Sequence, residues 1–160
     1  MKVVILAGGY GTRLSEYTET IPKPMVTVGN KPILVHIMNH YSRYGYNDFV
    51  LALGYKSEII KEYFVKMNMI HGDLEIDFSS GGINGLSDVN LNWKVSLIDT
   101  GQDTMTGGRL SRLSKIIGNE PFMMTYGDGV SDVPIDKLLK HHFESKKIAT
   151  VTAVRPTARF

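Results

Sequence analysis

The apolar run near the start of the sequence restricts the fold more than any other feature. Lys2 to Ala7 (KVVILA) is rich in β-branched side chains and ends directly at Gly8 and Gly9. A half-exposed strand would alternate apolar and polar residues, whereas a continuous run of this kind is typical of a strand buried on both faces of a parallel sheet. We therefore expect a sheet with helices packed on both sides.

Strand, loop and helix patterns then recur in the same order. Helical spacing of apolar residues extends from Pro32 to Tyr44, a second apolar run covers Phe49 to Leu53, and a new helical pattern begins at Ser57. This repetition predicts an α/β fold that is Rossmann-like, with three layers (α/β/α) and a mostly parallel sheet. The other predicted elements are short strands at Leu74–Phe78, Val95–Asp99, Pro121–Thr125 and Ala149–Val154, and helices after Gly107-Gly108 and after Pro134.

Length, charge and composition indicate one ordinary domain. Residues 1–160 are predicted to form it, with a flexible excursion at about 66–92 as the least ordered part. The formal charge of +2 is too small for a broad face that binds a nucleic-acid backbone, so no nucleic-acid partner is expected. We also expect no membrane partner and a cytoplasmic location, because no apolar segment is long enough for a signal sequence or a span.

The loop after the first strand has the composition of a phosphate-binding loop. Its glycines, in Gly8 to Leu14 (GGYGTRL), leave backbone N–H groups accessible at the carboxyl end of a strand. It does not match a dinucleotide fingerprint, which would require a small residue at Leu14, and no Gly-Lys-Ser/Thr follows as in a P-loop. From the glycines alone, a turn that only connects strand to helix remains an open alternative.

Two cations follow in this loop. Arg13 offers a planar fork of donors and Lys23 a compact ammonium group, a pair suited to the oxygens of a triphosphate. Pro22 and Pro24 flank the lysine, and we expect them to exclude helix and to hold Lys23 in an extended conformation. The alternative is that both cations are solvated loop residues.

A carboxylate is predicted at the same edge of the sheet. Asp128 lies between two glycines directly after the Pro121–Thr125 strand, and Mg²⁺ takes one or two protein carboxylates together with water and phosphate oxygens. Asp128 is therefore the candidate ligand for Mg²⁺, although Gly-Asp-Gly is also common in simple turns. Asp132 is predicted to cap the following helix.

A third segment, Thr104 to Leu110 (TMTGGRL), places hydroxyls and glycines at a predicted helix N-terminus. Such a segment could receive a ribose or base close to the backbone. An ordinary start of a helix is the alternative.

Together these motifs resemble the sugar-phosphate nucleotidyltransferase family, whose signature combines the GGxGTRL loop with a Pro-Lys-Pro segment. Both are present, at Gly8 to Leu14 and Pro22 to Pro24. Met25 to Leu34, Thr104 to Leu110 and Thr125 to Asp132 also fit, and the MTGGR segment is most similar to the cytidylyl-transferring branch. The resemblance implies the nucleotide-diphospho-sugar transferase type of fold.

The resemblance also implies the chemistry: CTP and α-D-glucose 1-phosphate give CDP-glucose and pyrophosphate in an Mg²⁺-dependent in-line attack on the α-phosphorus. Arg13, Lys23 and Asp128 would be the catalytic residues, with Asp128 as the metal ligand. The implied nucleotide-binding residues are Leu6, Ala7, Gly8, Gly9, Tyr10, Gly11, Thr12, Arg13, Lys23, Thr104, Gly108 and Arg109.

One departure from the family concerns length. Family members continue beyond the position of Phe160, and the continuation supplies part of the sugar-phosphate site and a second metal-binding aspartate. We therefore expect a C-terminally truncated, nucleotide-binding portion of a protein that is a homo-oligomer in its full-length form. A thymidylyl- or uridylyltransferase, or a non-catalytic nucleotide-binding or regulatory module, remain the alternatives.

Overall fold

The computed structural model describes residues 1–10, 20–70, 74–85 and 92–155. In chain order the elements are β1 (Lys2–Leu6), β2 (Thr27–Val28), β3 (Lys31–Pro32), α1 (Ile33–Ser42), β4 (Asp48–Leu53), α2 (Ser57–Ile70), β5 (Leu74–Asp77), β6 (Gly82–Gly85), β7 (Lys94–Asp99), α3 (Thr106–Ile117), β8 (Met123–Tyr126) and α4 (Ile135–Ser145).

A four-stranded parallel sheet forms the centre of the fold, in the order β7-β4-β1-β8. β1 and β4 are the inner strands, and side chains on both of their faces are buried, Val3 and Val4 among them. The prediction that Lys2 to Ala7 is a strand buried on both faces of a parallel sheet is therefore confirmed. A continuous apolar run is tolerated only in a strand that is covered on both sides.

Helix α1 covers the face of the sheet that carries Ile5. Its buried Tyr41 lies close to Thr125, which is paired with Ile5 in the β1–β8 register. At the end of the helix, Ser42 Oγ accepts a hydrogen bond of 3.0 Å from Trp93 Nε1, and the Trp93 ring packs edge-on against Phe49. α1 thus spans from β8 to the residue before β7.

Helix α3 covers the opposite face. Leu113 and Ile117 pack into one buried cluster with Val4, Leu6 and Val50 of the inner strands. With α1 on one side and α3 on the other, the predicted three-layer α/β/α arrangement is confirmed.

The order of the strands defines where the sheet can bind a ligand. The chain runs from β1 to β4 to β7 on one side and then returns to β8 on the other side of β1. At such a reversal the connections leave adjacent strands in opposite directions, so a crevice opens at the carboxyl ends of β1 and β8. Both motifs predicted for phosphate and metal follow these two strands.

Part of the predicted excursion 66–92 has regular structure. Helix α2 continues to Ile70, and Leu74–Asp77 pairs antiparallel with Gly82–Gly85. Asp77 connects the two strands by accepting hydrogen bonds from Ser79 and Ser80, which lower its pKa well below the usual range. The glycines and serines of Ser79 to Gly85 predict an irregular segment because these residues disfavour strands, but a local ladder needs only a partner strand.

The chain divides into two compact units, Met1–Val130 and Ser131–Phe160. The prediction that residues 1–160 form a single domain stays a prediction. Two predictions within the second unit are wrong. Helix α4 has Pro134 at its N-cap with no side-chain cap, so Asp132 does not cap it. The structure assigns no strand to Ala149–Val154, because the described residues of this unit, 131–155, contain no strand to pair with it.

No helix in the described ranges is both long enough and apolar enough to cross a membrane.

The cluster between α3 and the sheet gives a first prediction. Leu113→Ala removes a fully buried side chain and leaves a cavity, so the free energy of unfolding should fall by about 2–5 kcal/mol. Urea denaturation monitored by circular dichroism measures this change. Ser114→Ala, at an exposed position on the same helix, is the control and should change stability by less than about 0.5 kcal/mol. Equal effects of the two variants would contradict the assigned packing of α3.

Candidate active site

The loops after β1 and β8 lie side by side at the crevice. The Gly127 N–H donates to Leu6 O at 2.9 Å, which extends the β1–β8 ladder beyond both strands. A Cβ at Gly127 would lie 3.1 Å from both Leu6 O and Pro24 Cγ. Glycine at this position therefore lets the Asp128 loop approach both β1 and the Pro22–Pro24 segment.

Lys23 and Asp128 meet at this edge, as the sequence predicts. Lys23 Nζ lies 3.7 Å from Asp128 Oδ2, and the two side chains are 17% and 47% exposed. A pair this exposed contributes little to stability, so the arrangement matters chiefly for the charges it presents. It places an ammonium group and a carboxylate together beside the glycine loop.

The conformation of Lys23 differs from the expected extended one. Lys23–Met25 forms a single 3-10 turn, in which Met25 N–H donates to Pro22 O and Val26 N–H to Lys23 O. Pro22 at the N-cap and Pro24 in the first turn are compatible with this turn, since these positions need no backbone N–H donor. Pro24 and Met25 are buried and anchor the turn, so Lys23 is still held in a fixed place.

The first part of the glycine loop is held by backbone hydrogen bonds. Ala7 N–H donates to Ala52 O at 3.0 Å, and Tyr55 N–H donates to Gly8 O at 3.2 Å. At Gly9, by contrast, no described atom lies within 4 Å of the position that a Cβ would take. Among the described residues, the loop is thus tightly packed at Gly8 and has space at Gly9.

Tyr10 connects this loop to the one after β7. Its hydroxyl donates to Asp103 Oδ1 at 2.5 Å, and its ring lies 5.2 Å from the ring of Tyr55. The hydrogen bond to the Asp103 carboxylate raises the pKa of Tyr10. Gly11, Thr12 and Arg13, which the sequence also predicts for this site, lie outside the described residues.

Arg109 lies at the same edge, but its donors point to the protein. Its Nη1 donates to Leu53 O, Thr100 Oγ1 and Gly101 O, and its Nη2 donates to Gly8 O and Gln102 O, all at 2.7–3.2 Å. Burial lowers the pKa of this guanidinium, which nevertheless remains charged at neutral pH. Direct contact of Arg109 with a nucleotide stays a prediction.

Thr104 is held by a residue that sequence reasoning missed. Arg112 Nη1 donates to Thr104 Oγ1 and to Thr100 O, both at 2.5 Å. Arg112 follows Arg109 by one helical turn, and that spacing on a helix next to a predicted site was the available signal. Gly108 lies close to Thr104 as well, since a Cβ there would be 2.8 Å from Thr104 Cγ2.

Asp128 offers a half-exposed carboxylate for a metal ion. Within the described residues, no group of three or more His, Cys, Asp or Glu side chains is suited to hold one. The half-exposed carboxylate of Asp128 is nevertheless a hard oxygen donor of the kind Mg²⁺ prefers, and water and phosphate oxygens usually complete its coordination. The donor set therefore fits Mg²⁺ bound together with a phosphate ligand.

Comparison with known proteins identifies relatives over the whole chain. The model of the nucleotidyl transferase family matches residues 2–159. The chain is 45% identical over 160 residues to a probable glucose-1-phosphate cytidylyltransferase of Bacillus subtilis (strain 168) and 46% identical over 161 residues to the glucose-1-phosphate cytidylyltransferase of Salmonella typhimurium. All of the chain is aligned with 63% of each relative, so it spans a little under two thirds of their length.

A solved structure agrees with the fold. HddC from Yersinia pseudotuberculosis, crystallised as a complex with GMP-PN, superimposes with a TM-score of 0.68 at 29% sequence identity. The superposition covers 89% of this chain and 54% of HddC.

The packing difference between Gly8 and Gly9 gives the second prediction. A Cβ at Gly8 would lie 2.2 Å from Arg109 Nη1 and 2.8 Å from Gly54 N, so Gly8→Ala should reduce the free energy of unfolding by about 1–3 kcal/mol. Gly9→Ala is the matched control and should leave stability nearly unchanged. Urea denaturation of both variants tests the difference, and equal stability of the two would contradict the described packing of the loop.

Proposed function

Because the chain belongs to the nucleotidyl transferase family, we propose that it forms the nucleotide-binding portion of an enzyme that transfers CMP from CTP to α-D-glucose 1-phosphate. The products are CDP-glucose and pyrophosphate. The observation that carries the proposal is the position of Lys23 Nζ, 3.7 Å from Asp128 Oδ2, beside the glycine loop at the switch point of the sheet. A cation for phosphate oxygens and a carboxylate for a metal are thereby brought to one crevice.

The reaction needs little covalent help from the protein. A phosphate oxygen of the sugar 1-phosphate forms a bond to the α-phosphorus of CTP, while the bond from that phosphorus to the oxygen bridging to the β-phosphate breaks. The chain's task is to bind and orient the two anions. No side-chain nucleophile is required.

Each residue of the crevice has a role in this reaction. The space at Gly9 among the described residues gives the phosphates access to the backbone, and Lys23 donates hydrogen bonds to their oxygens. Asp128 would hold Mg²⁺, which neutralises charge on the reacting phosphates when bound. Arg13, from the same loop motif, is proposed to stabilise the departing pyrophosphate.

The choice of cytosine rests on similarity to relatives. The two relatives at 45–46% identity carry names that specify cytidylyl transfer. In this chain Thr104 and Gly108, together with Tyr10, are proposed to receive the base and ribose, since they line the loops next to the glycine loop. Homo-oligomerisation of the full-length protein stays a prediction.

Removal of the proposed metal ligand should abolish most of the activity. In the full-length protein, Asp128→Asn should lower turnover on the order of 100-fold, while CTP binding without Mg²⁺ changes little. Release of pyrophosphate measures turnover. Asp132→Asn, an exposed aspartate with no assigned role, is the control and should retain activity. Normal turnover of the Asp128→Asn variant would show that the metal role is wrong.

Base selectivity can be measured on this chain without turnover. At fixed Mg²⁺, CTP at about 100 times its dissociation constant should stabilise the folded state by about 2.7 kcal/mol, with a corresponding rise in Tm. UTP, dTTP and GTP at the same concentration should raise Tm less. A larger shift with UTP or dTTP would replace the cytidylyl assignment by the uridylyl or thymidylyl one, and no shift with any nucleotide would contradict the proposed nucleotide-binding role.

A further inference from the structure

Arg112 holds the loop between β7 and α3 at two points. Its Nη1 donates to Thr100 O and to Thr104 Oγ1, both at 2.5 Å. The bond to Thr100 O ties the end of β7 to the helix. The bond to Thr104 Oγ1 reaches a side chain that the proposed function places beside the base and ribose.

Two glycines restrict the orientation of the Thr104 side chain. A Cβ at Gly101 would lie 2.2 Å from Arg112 Nη1 and 2.8 Å from Thr104 Oγ1. Gly101 also has a φ of +84°, which other residues rarely adopt. On the other side, a Cβ at Gly108 would lie 2.8 Å from Thr104 Cγ2. The hydroxyl of Thr104 is thus packed against Gly101 and its methyl group against Gly108, which fixes χ1.

The Thr104 hydroxyl lies next to the start of a helix, where a threonine oxygen commonly accepts a backbone N–H as a cap. In α3 the N-cap is Met105, and no side-chain cap hydrogen bond is formed. The oxygen of Thr104 accepts from Arg112 instead.

This bond determines the hydrogen-bonding role that remains for Thr104. A threonine hydroxyl has one O–H donor and two acceptor lone pairs, whereas a guanidinium group has donors only. The oxygen must therefore accept from Arg112, and the hydroxyl hydrogen is directed to a different partner. The positive charge of Arg112 polarises the O–H bond and makes the hydroxyl a stronger donor.

We propose that Arg112 is a positioning residue that makes the Thr104 hydroxyl a fixed hydrogen-bond donor to an acceptor atom of the nucleoside. The inference rests on the proposed function, which brings a nucleotide to Thr104. Arg112 acts through Thr104 and does not touch the nucleotide. A ribose oxygen and an acceptor of the base both fit this chemistry, since each presents a lone pair to the hydroxyl.

The first experiment measures the orientation of Thr104 by NMR without ligand. Three-bond couplings from Cγ2 to the backbone nitrogen and carbonyl carbon report χ1, and the parent should show a single rotamer. Arg112→Met keeps an unbranched side chain without donors and should give averaged couplings. Lys115→Met removes an exposed cation of the same helix and should leave the couplings unchanged. Equal couplings in the parent and Arg112→Met would overturn the proposal whatever the protein binds.

The second experiment is a double-mutant cycle on CTP binding at fixed Mg²⁺. Arg112→Met and Thr104→Val should each weaken binding about 10-fold, because each removes the oriented donor. The double variant should also lose about 10-fold, since Arg112 acts only through Thr104. A purely structural role of Arg112 would give a loss of about 100-fold in the double variant and would overturn the proposal. Full affinity in either single variant would do the same.

Comparison of CTP with CMP and dCTP identifies the acceptor. A nucleoside contact predicts that Arg112→Met weakens CMP and CTP by the same factor. A loss confined to CTP would indicate phosphate contact and overturn the proposal. If Thr104→Val weakens CTP but not dCTP, the acceptor is the ribose 2′-oxygen, whereas equal losses place it elsewhere on the nucleoside; both results support the proposal.

Thr104→Ser keeps the test valid if Arg112→Met does not fold. Serine retains the hydroxyl but lacks the methyl group that packs against Gly108, so the loss of CTP affinity should be about threefold, less than in Thr104→Val. Equal losses in the serine and valine variants would show that the hydroxyl is not the contact and overturn the proposal. If the parent binds no nucleotide while the Thr104 couplings respond to Arg112, the proposed function fails together with the ligand part of this inference. CTP binding that does not depend on Arg112 overturns this inference alone.

Discussion

The rest of the structure depends on the position of β1 between two parallel neighbours. β1 pairs with β4 over its whole length and with β8 from Val3 to Leu6, and both of its faces are buried. Because the chain enters the sheet at β1 and later returns on its other side, the reversal of strand order falls at the carboxyl end of β1. The crevice and the glycine loop are thus consequences of one pairing arrangement.

At the carboxyl edge of the sheet, hydrogen bonds from Arg109 hold the ends of β1 and β4 and the residues after β7 in place, whereas space remains at Gly9. Arg109 fixes Gly8, Leu53 and the residues after β7 through charged hydrogen bonds in a buried setting, where such bonds are strong. Beyond Gly8, the loop has free space at Gly9 among the described residues. Preorganised anion binding requires backbone donors that are held in place and accessible to the ligand. The hydrogen-bonded carbonyl of Gly8 and the space at Gly9 meet these two conditions.

Local sequence patterns predicted most helices and strands correctly. They failed where the formation of a strand depended on the presence of a partner strand. The strands at Phe49 and Val95 and the helix from Ser57 formed as predicted, since apolar periodicity reports directly on burial. Ala149–Val154 has the composition of a strand, but the structure assigns no strand there. Gly82–Gly85 lacks that composition and nevertheless pairs with Leu74–Asp77. Composition reports a residue's preference, whereas a strand exists only when another strand accepts its backbone hydrogen bonds.

The sequence by itself determined the α/β class, the glycine loop and the residue types at the crevice, because strand ends and glycine motifs are local. It also placed Lys23 and Asp128 at one edge, since parallel strands present their carboxyl ends together. Only the tertiary structure decided that Lys23 sits on a 3-10 turn and that Arg109 serves the Gly8 carbonyl, 101 residues away in sequence. Hydrogen-bond partners at that separation depend on the order of the strands and on the helix that follows them, which no local pattern contains.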